Sequence, residues 1–294
     1  IHNMRKRMKV IMVVLIALAV ILFMINLADI HRFVKREYSI QSDKIKKPLR
    51  IALLSDLHGK EYGYNNSILA EAIKDAGPDV IICAGDMVTA SNGKVDDSVL
   101  KLFHELEDYP IYYGIGNHEY RMKIYQGQYK SNYDKYMCEL TETGVIVLEN
   151  NRVFLEDYNV TIQGLMIDRE YYQRFEKAKM EPEYIKDITG SHETEGYEIL
   201  VAHNPEYFDV YVEAGADLVL SGHNHGGIIN IPYLGGVISP RLALFPKYDG
   251  GKYEQSGSTM VLSRGLGYHS LPVRLFNPGE LVIIDVNPCN EDKR

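Results

Sequence analysis

Asp56 and His58 stand two residues apart, and after them come Gly85-Asp86, Gly116-Asn117-His118-Glu119, a separate His203, and Gly222-His223-Asn224-His225-Gly226-Gly227. Carboxylates, imidazoles and an amide oxygen form a mixed N/O donor set, which suits Mn, Fe or Zn better than Ca or Mg. Two cations about 3.5–4 Å apart repel each other, so a dinuclear site needs a bridging anion, and the lone carboxylate of Asp86 suits that place. Asp56 and His58 can bend towards one ion, while His223 and His225 can divide between the ions from a glycine-flanked turn. Asn117 adds a neutral carbonyl oxygen and His203 an imidazole. His118, beside a ligand without being an obvious one, is placed to protonate a leaving alkoxide or to hydrogen-bond a phosphoryl oxygen. A pair of such ions acidifies a water for in-line attack on phosphorus. Singly each motif is commonplace, and a lone histidine is more often an ordinary core or surface residue. Five in order, each at the end of an apolar run, are not.

Those apolar runs are the elements that must position the chemistry. Residues 49–55, 80–84, 111–115, 199–202 and 218–221 read as strands, the first buried on both faces. Each delivers one of the polar groups at its C-terminal end. Helical patterns at 68–75 and 207–214 alternate with them, the form of βαβ units around a buried sheet. In open α/β sheets ligands collect outside the carboxyl ends of the strands, so the five strand ends point to one site. Further strands are expected at 145–148, 153–155 and 160–167. The tyrosine-rich stretch 120–143 reads as loop and helix near a cleft mouth, and 168–196 as a charged connection, partly helical.

The chain has 294 residues, 46% hydrophobic and 24% charged, which fits a globular α/β body. Its formal net charge of -8 argues against nucleic-acid binding, since that needs a basic face to displace counterions from phosphates. Cys83, Cys138 and Cys289 are too few and too far apart for a disulfide framework or a cysteine metal knuckle. Residues 10–28 carry no charge, and Asn26 is their one strongly polar member, which fits a membrane-spanning helix. The run is longer than a signal-peptide core and lacks a good cleavage site, so an uncleaved anchor is expected, with Met4 as initiator. The divisions expected are a basic tail and anchor at 1–29, a charged stalk at 30–48, the main domain at 49–287 and a tail at 288–294. The basic cluster Arg5, Lys6, Arg7 and Lys9 before the first apolar segment favours a single-pass protein of the cell membrane with its large domain outside the cytoplasm.

The five motifs together resemble the calcineurin-like metallophosphoesterases over roughly residues 50–286. The resemblance implies a two-sheet β-sandwich flanked by helices, here with an N-terminal transmembrane helix. It implies one metal held by Asp56, His58 and His225, another by Asn117, His203 and His223, Asp86 as the bridge, and His118 as the outer-sphere catalytic histidine. The C-terminal stretches 263–267 and 271–276 resemble the bacterial membrane-associated branch, some of whose members hydrolyse nucleotide-linked lipid pyrophosphates. A metal-dependent phosphodiesterase or pyrophosphatase at the membrane surface is therefore expected, with a phosphoester substrate, lipid-linked or nucleotide-linked. The alternative is a non-catalytic, metal-stabilised binding protein on the same fold. The protein-phosphatase branch has an Asp and an Arg where this chain has Thr89 and Ala90 after Gly85-Asp86-Met87-Val88. That departure argues against phosphoprotein substrates and removes a carboxylate partner for His118. Arg264 and His269 are candidate substrate contacts, with an ordinary loop before the last strand as the alternative.

Overall fold

The computed structural model describes residues 2–93, 95–173, 177–190, 196–227, 229–231, 235–238, 244–268 and 272–289. Helix α1 (His2–His31) carries the apolar run, has a mean hydropathy of 3.2 in its most apolar window, and buries none of that window against the rest of the protein. Residues 10–28 rise about 28 Å, close to the thickness of a bilayer's hydrocarbon core, so the helix is long and apolar enough to cross one.

The expected stalk at 30–48 is corrected by the structure. Strand β1 (Phe33–Ser42) starts two residues after α1 ends and pairs in parallel with the last strand of the chain along its whole length, from Phe33 opposite Gly279 to Ser42 opposite Pro288. Its charges, Lys35, Arg36 and Glu37, are exposed, as an edge strand allows.

Next come β2 (Leu49–Leu54), β3 (Val80–Ala84), β4 (Ile111–Gly114) and β5 (Ile146–Leu148), mutually parallel neighbours. β6 (Arg152–Leu155), β7 (Val160–Leu165), β8 (Tyr197–Ala202) and β9 (Leu218–Ser221) build a second sheet. β10 (Ile229–Ile231) and β11 (Gly235–Ile238) form a small antiparallel ribbon, and β12 (Gly251–Gln255), β13 (Ser258–Leu262) and β14 (Gly279–Pro288) complete the order. The two six-stranded sheets run β1-β14-β2-β3-β4-β5 and β12-β13-β9-β8-β7-β6.

Alternation along the strands sets the layers. Leu49, Ile51 and Leu53 of β2, with Val80, Ile82 and Ala84 of β3, point into a core shared with Ile162, Val201, Leu220 and Val261 of the other sheet. Ala52, Leu54, Ile81 and Cys83 point the other way, onto α2 (Ser67–Ala76), α3 (Ser98–His104), α4 (Asn117–Ile124), α5 (Gln126–Tyr129) and α6 (Asn132–Glu142). On the outer side of the second sheet, α7 (Pro182–Thr189) and α8 (Phe208–Glu213) cover Leu200, Val219 and Met260. The fold is thus the two-sheet sandwich between helices that the resemblance implied. Each buried Leu or Ile side chain stabilises it by about 1.5–3 kcal/mol, and this packing holds the strand ends of both sheets in fixed relation.

Candidate metal centre

The loops leaving β2, β3, β4, β8 and β9 converge at one edge of the sandwich, and three overlapping groups of side chains form there. Asp56, His58 and His225 make one, Asp86, His203 and His223 another, and His58, Asp86 and His118 a third; in each group one donor atom per residue lies within 4.8 Å of the others. His225 Nε2 is 3.3 Å from Asp56 Oδ1, and His203 Nε2 is 3.3 Å from Asp86 Oδ2. His58 Nε2 and His225 Nε2 face each other at 3.2 Å, a spacing at which two imidazole nitrogens need a proton or a cation between them. Asn117 Oδ1 is shielded from solvent and accepts no hydrogen bond among the described residues. A buried amide oxygen left in that state costs about 1–3 kcal/mol, unless a cation uses its lone pair. These donors therefore fit a pair of divalent ions.

Strained backbone accompanies the cluster. Asp56, His58, Asp86, His223 and His225 all sit in the left-handed region, with φ of 51°, 52°, 52°, 75° and 50°. Each such residue costs about 1 kcal/mol or more, and persists only where surrounding bonds over-determine it. Here they do. Asp56 N donates to Gly85 O at 3.0 Å, His58 N to Asp86 O at 3.2 Å and Gly59 N to Met87 O at 2.9 Å, which zips the β2 and β3 loops together. His223 N donates to both carboxylate oxygens of Asp56 at 3.1 Å, and His118 N donates to Asp86 Oδ1 at 2.8 Å. Gly116 and Gly222 make these approaches possible, because a Cβ on either would overlap the carboxylate of Asp86 or of Asp56.

Hydrogen bonds behind the cluster fix which nitrogen faces inward. His203 Nδ1 donates to Ala84 O at 2.7 Å, which leaves Nε2 as the ligating atom. Ala90 N donates to His118 Nδ1 at 3.0 Å, so the proton of the neutral ring belongs on Nε2. Where a carboxylate would have accepted a hydrogen bond from Nδ1, a backbone amide here donates one to it, which fixes the opposite tautomer. Thr89 Oγ1 lies 3.3 Å from His58 Nδ1 and orients that ring.

Charge follows the same geometry. Burial pushes the Asp56 carboxyl up to about 6, His203 working against it and Asp86 with it. Burial would also raise Asp86, but the imidazoles of His203, His118 and His58 outweigh it and hold the carboxyl well below its usual range. His203 shows the other side of that pairing: burial opposes its charge, yet Asp86 and Asp56 push it up to about 10. Burial lowers His118, and the nearby Arg121 lowers it further, against the pull of Asp86.

A family model described as calcineurin-like phosphoesterase matches residues 49–227, the span that contains every residue of the three groups. The chain belongs to that family. Calcineurin-like phosphoesterases work through a dinuclear divalent metal centre on a phosphoester, and this member has the candidate ligands for one. It is 28% identical over 260 residues to an uncharacterized metallophosphoesterase of Helicobacter pylori, an alignment covering 87% of this chain and 64% of that one. The chain thus spans somewhat less than two thirds of that relative's length. It is 25% identical to a transmembrane protein with metallophosphoesterase domain from Danio rerio, over 95% of this chain and 62% of the relative. Among solved structures, the NAD nucleotidase of Haemophilus influenzae superposes with a TM-score of 0.43 and 15% identity, over 74% of this chain and 45% of that one.

Six of the seven expected ligands and His118 fall within these three groups, and the seventh, Asn117, directly precedes His118. Arg264 does not join them as directly: its stem lies along Gly226 and Gly250, and its charge is felt by Glu280 and Tyr38. His269 lies outside the described residues. Several neighbours escaped the sequence reading. Glu119 accepts hydrogen bonds from the backbone amides of Asp86, Met87, Val88 and Gly116 and from the Tyr113 hydroxyl, tying the β3 and β4 loops together. Its place in Gly-Asn-His-Glu, three residues after the N-cap Gly116, is the signal that could have found it. Tyr172 sets its ring 5.4 Å from that of His223. Arg121, one helical turn beyond His118, is exposed, and its guanidinium makes no hydrogen bond or ion pair among the described residues.

Proposed function

We propose that this protein is a metal-dependent phosphodiesterase or pyrophosphatase that works at a membrane surface to which α1 anchors it. The observation that carries the reading is the convergence of two donor groups, Asp56 with His58 and His225 and Asp86 with His203 and His223, beside the buried Oδ1 of Asn117 in the β4 loop, unbonded among the described residues. In this reading Asp86 is shared by the two sets, since it groups with His203 and His223 and also with His58.

When bound, the two divalent ions supply Lewis acidity and a water of lowered pKa; Mn, Fe or Zn fits the mixed donor set. The chain's own residues supply the rest. His118, held by Ala90 as the Nε2–H tautomer, donates that proton in a hydrogen bond to a phosphoryl or leaving-group oxygen. Because its ring is kept neutral by burial, the contribution is a fixed donor and not a mobile cation. Arg121 presents a guanidinium to the non-bridging oxygens from the exposed side of α4, in place of the arginine that the protein-phosphatase branch carries after Gly-Asp. Tyr172 walls the His223 side. A lipid-linked or nucleotide-linked phosphate fits this arrangement and the anchor.

Purified full-length protein in detergent should hydrolyse bis-p-nitrophenyl phosphate when Mn is added, and Asp86→Ala should abolish the activity and lower bound metal measured by mass spectrometry. Equal turnover by the two proteins across Mn, Fe and Zn would refute the proposal.

A further inference from the structure

Asn26 is the odd residue of the apolar helix, and the structure gives it work. Its Nδ2 donates to Pro272 O at 3.3 Å and its Oδ1 accepts from Arg274 N at 2.9 Å. One turn later Asp29, fully buried, accepts from Asn277 N at 3.0 Å and from Arg32 at 2.7 Å. The segment 272–277 is therefore fastened along the last two turns of α1. Backbone layers continue outward from it. Asn230 N donates to Leu275 O at 3.1 Å, Ile229 pairs with Ile238 in the β10–β11 ribbon, Ile238 bridges Leu244, and Phe245 N donates to Val237 O at 2.9 Å. At about 4.8 Å per layer this shelf reaches on the order of 15 Å sideways from the helix.

The shelf is apolar where it is exposed. Leu244 and Phe245 are 67% and 65% exposed, Ile231 and Phe276 39% each. Phe245 and Phe276 also hold left-handed backbone, φ 48° and 54°. A bulky side chain in that region is a true outlier, and no metal-site hydrogen bond accounts for either. Exposed apolar clusters of this kind mark a binding surface. At the foot of the helix Lys60 donates to Ile30 O and lies over the Tyr62 ring, 4.2 Å from its centroid, the pairing of aromatic and lysine that favours a membrane–water boundary.

From these observations we infer that the shelf formed by 229–231, 235–238, 244–245 and 272–277 is a second membrane contact, seated in the leaflet surface beside the point where α1 emerges. The occupant is the bilayer that already holds α1, because a helix passing through that surface at Asn26 brings the bonded segment to the same depth. The inference rests on the reading of α1 as a spanning helix. It also brings the metal centre close to lipid: Asn277 Nδ2 donates to His225 O at 2.7 Å and to Gly227 O at 2.8 Å, so a ligand loop hangs directly from the shelf.

The chain contains no tryptophan, so a single introduced one reports its own surroundings. Full-length Leu244→Trp, Phe245→Trp and Phe276→Trp proteins, reconstituted in phosphatidylcholine vesicles, should show blue-shifted emission and lose most of it when the lipid is replaced by its acyl-chain-brominated analogue. Phe23→Trp, within α1, reports the anchor, and Phe154→Trp, exposed on the outer strand β6, reports water. Quenching of Phe23→Trp without quenching of the shelf positions overturns the inference and leaves the anchor standing. An unquenched Phe23→Trp overturns both. Equal quenching of Phe154→Trp shows non-specific adsorption and overturns the shelf. No arm depends on catalysis, so loss of the phosphoesterase reading would leave the result interpretable.

Discussion

Replacing Arg274 by methionine should be among the most damaging single changes outside the ligand set. Arg274 is the largest fully buried side chain among the described residues, and its guanidinium donates to four carbonyls: Nε to Asn277 O at 2.8 Å, the Nη atoms to Arg264 O at 2.5 Å, to Gly265 O at 3.2 Å, and to Gly267 O. Methionine fills similar volume and offers no donor, so three of these carbonyls lose their partner, while Gly265 O keeps Glu280 N at 3.0 Å. At about 1 kcal/mol each, the low end for such groups, the loss is ~3 kcal/mol, a large share of the total stability of a typical domain. For a body of this size that lowers Tm by roughly 6–12 °C. The damage should reach the metals, because the strapped turn holds the ligand strand: Leu266 N donates to Ser55 O at 3.0 Å and Gly267 N to Asp56 O at 2.7 Å. Thermal unfolding of full-length protein in detergent, with and without saturating Mn, is the assay, and the Mn-induced rise in Tm should shrink in the variant. Lysine should fall between, since one ammonium cannot reach four separated carbonyls. If Arg274→Met melts within about 3 °C of wild type and keeps the full Mn-induced rise, the reasoning is wrong.

Three further outcomes follow from the site. His203 is pushed up to about 10 by Asp86 and Asp56, so its folded pKa lies above its unfolded one; the proton-linked stabilisation is complete below pH 6.5 and is lost as pH rises through about 10. A cation binding at Nε2 must expel that proton, so apparent metal affinity should climb towards tenfold per pH unit between about pH 7 and 9; calorimetry in buffers of different ionisation heat should detect the proton released, and none released would refute the pairing. His118→Ala should cost about 10²–10³ in kcat, while His118→Gln, which keeps an N–H donor, should recover part of it; equal losses in steady-state kinetics would make the ring more than a fixed donor. Arg121→Ala should raise KM about tenfold with little change in kcat, and an unchanged KM would remove it from the substrate path.

The parts of the molecule legible beforehand were those where local pattern and chemistry coincide. β2, β3, β4, β8 and β9 are short, mostly apolar runs that lead into metal-binding residue types, and the sequence places each within a residue or two. β1 was missed because the partner that makes it a strand, β14, lies at the opposite end of the chain. Its own residues, exposed at Lys35, Arg36 and Glu37, carry little of the apolar alternation that marks a half-buried strand. Arg274 was quoted only as part of a motif, since nothing local says that a cation will be taken out of water by four carbonyls. The left-handed backbone at Asp56, Asp86 and His225 was equally hidden: none is glycine, and only the bonds between loops explain why they tolerate it.

The junction between α1 and β1 leaves Arg32 as the sole residue between them. A flexible stalk over residues 30–48 would have let the body wander by about 24 Å. Without one, the sandwich cannot swing or lean away to meet a partner in the surrounding water. With α1 anchored as proposed, its aspect towards the lipid plane is built in, and the two-dimensional drift of the whole molecule becomes its means of search.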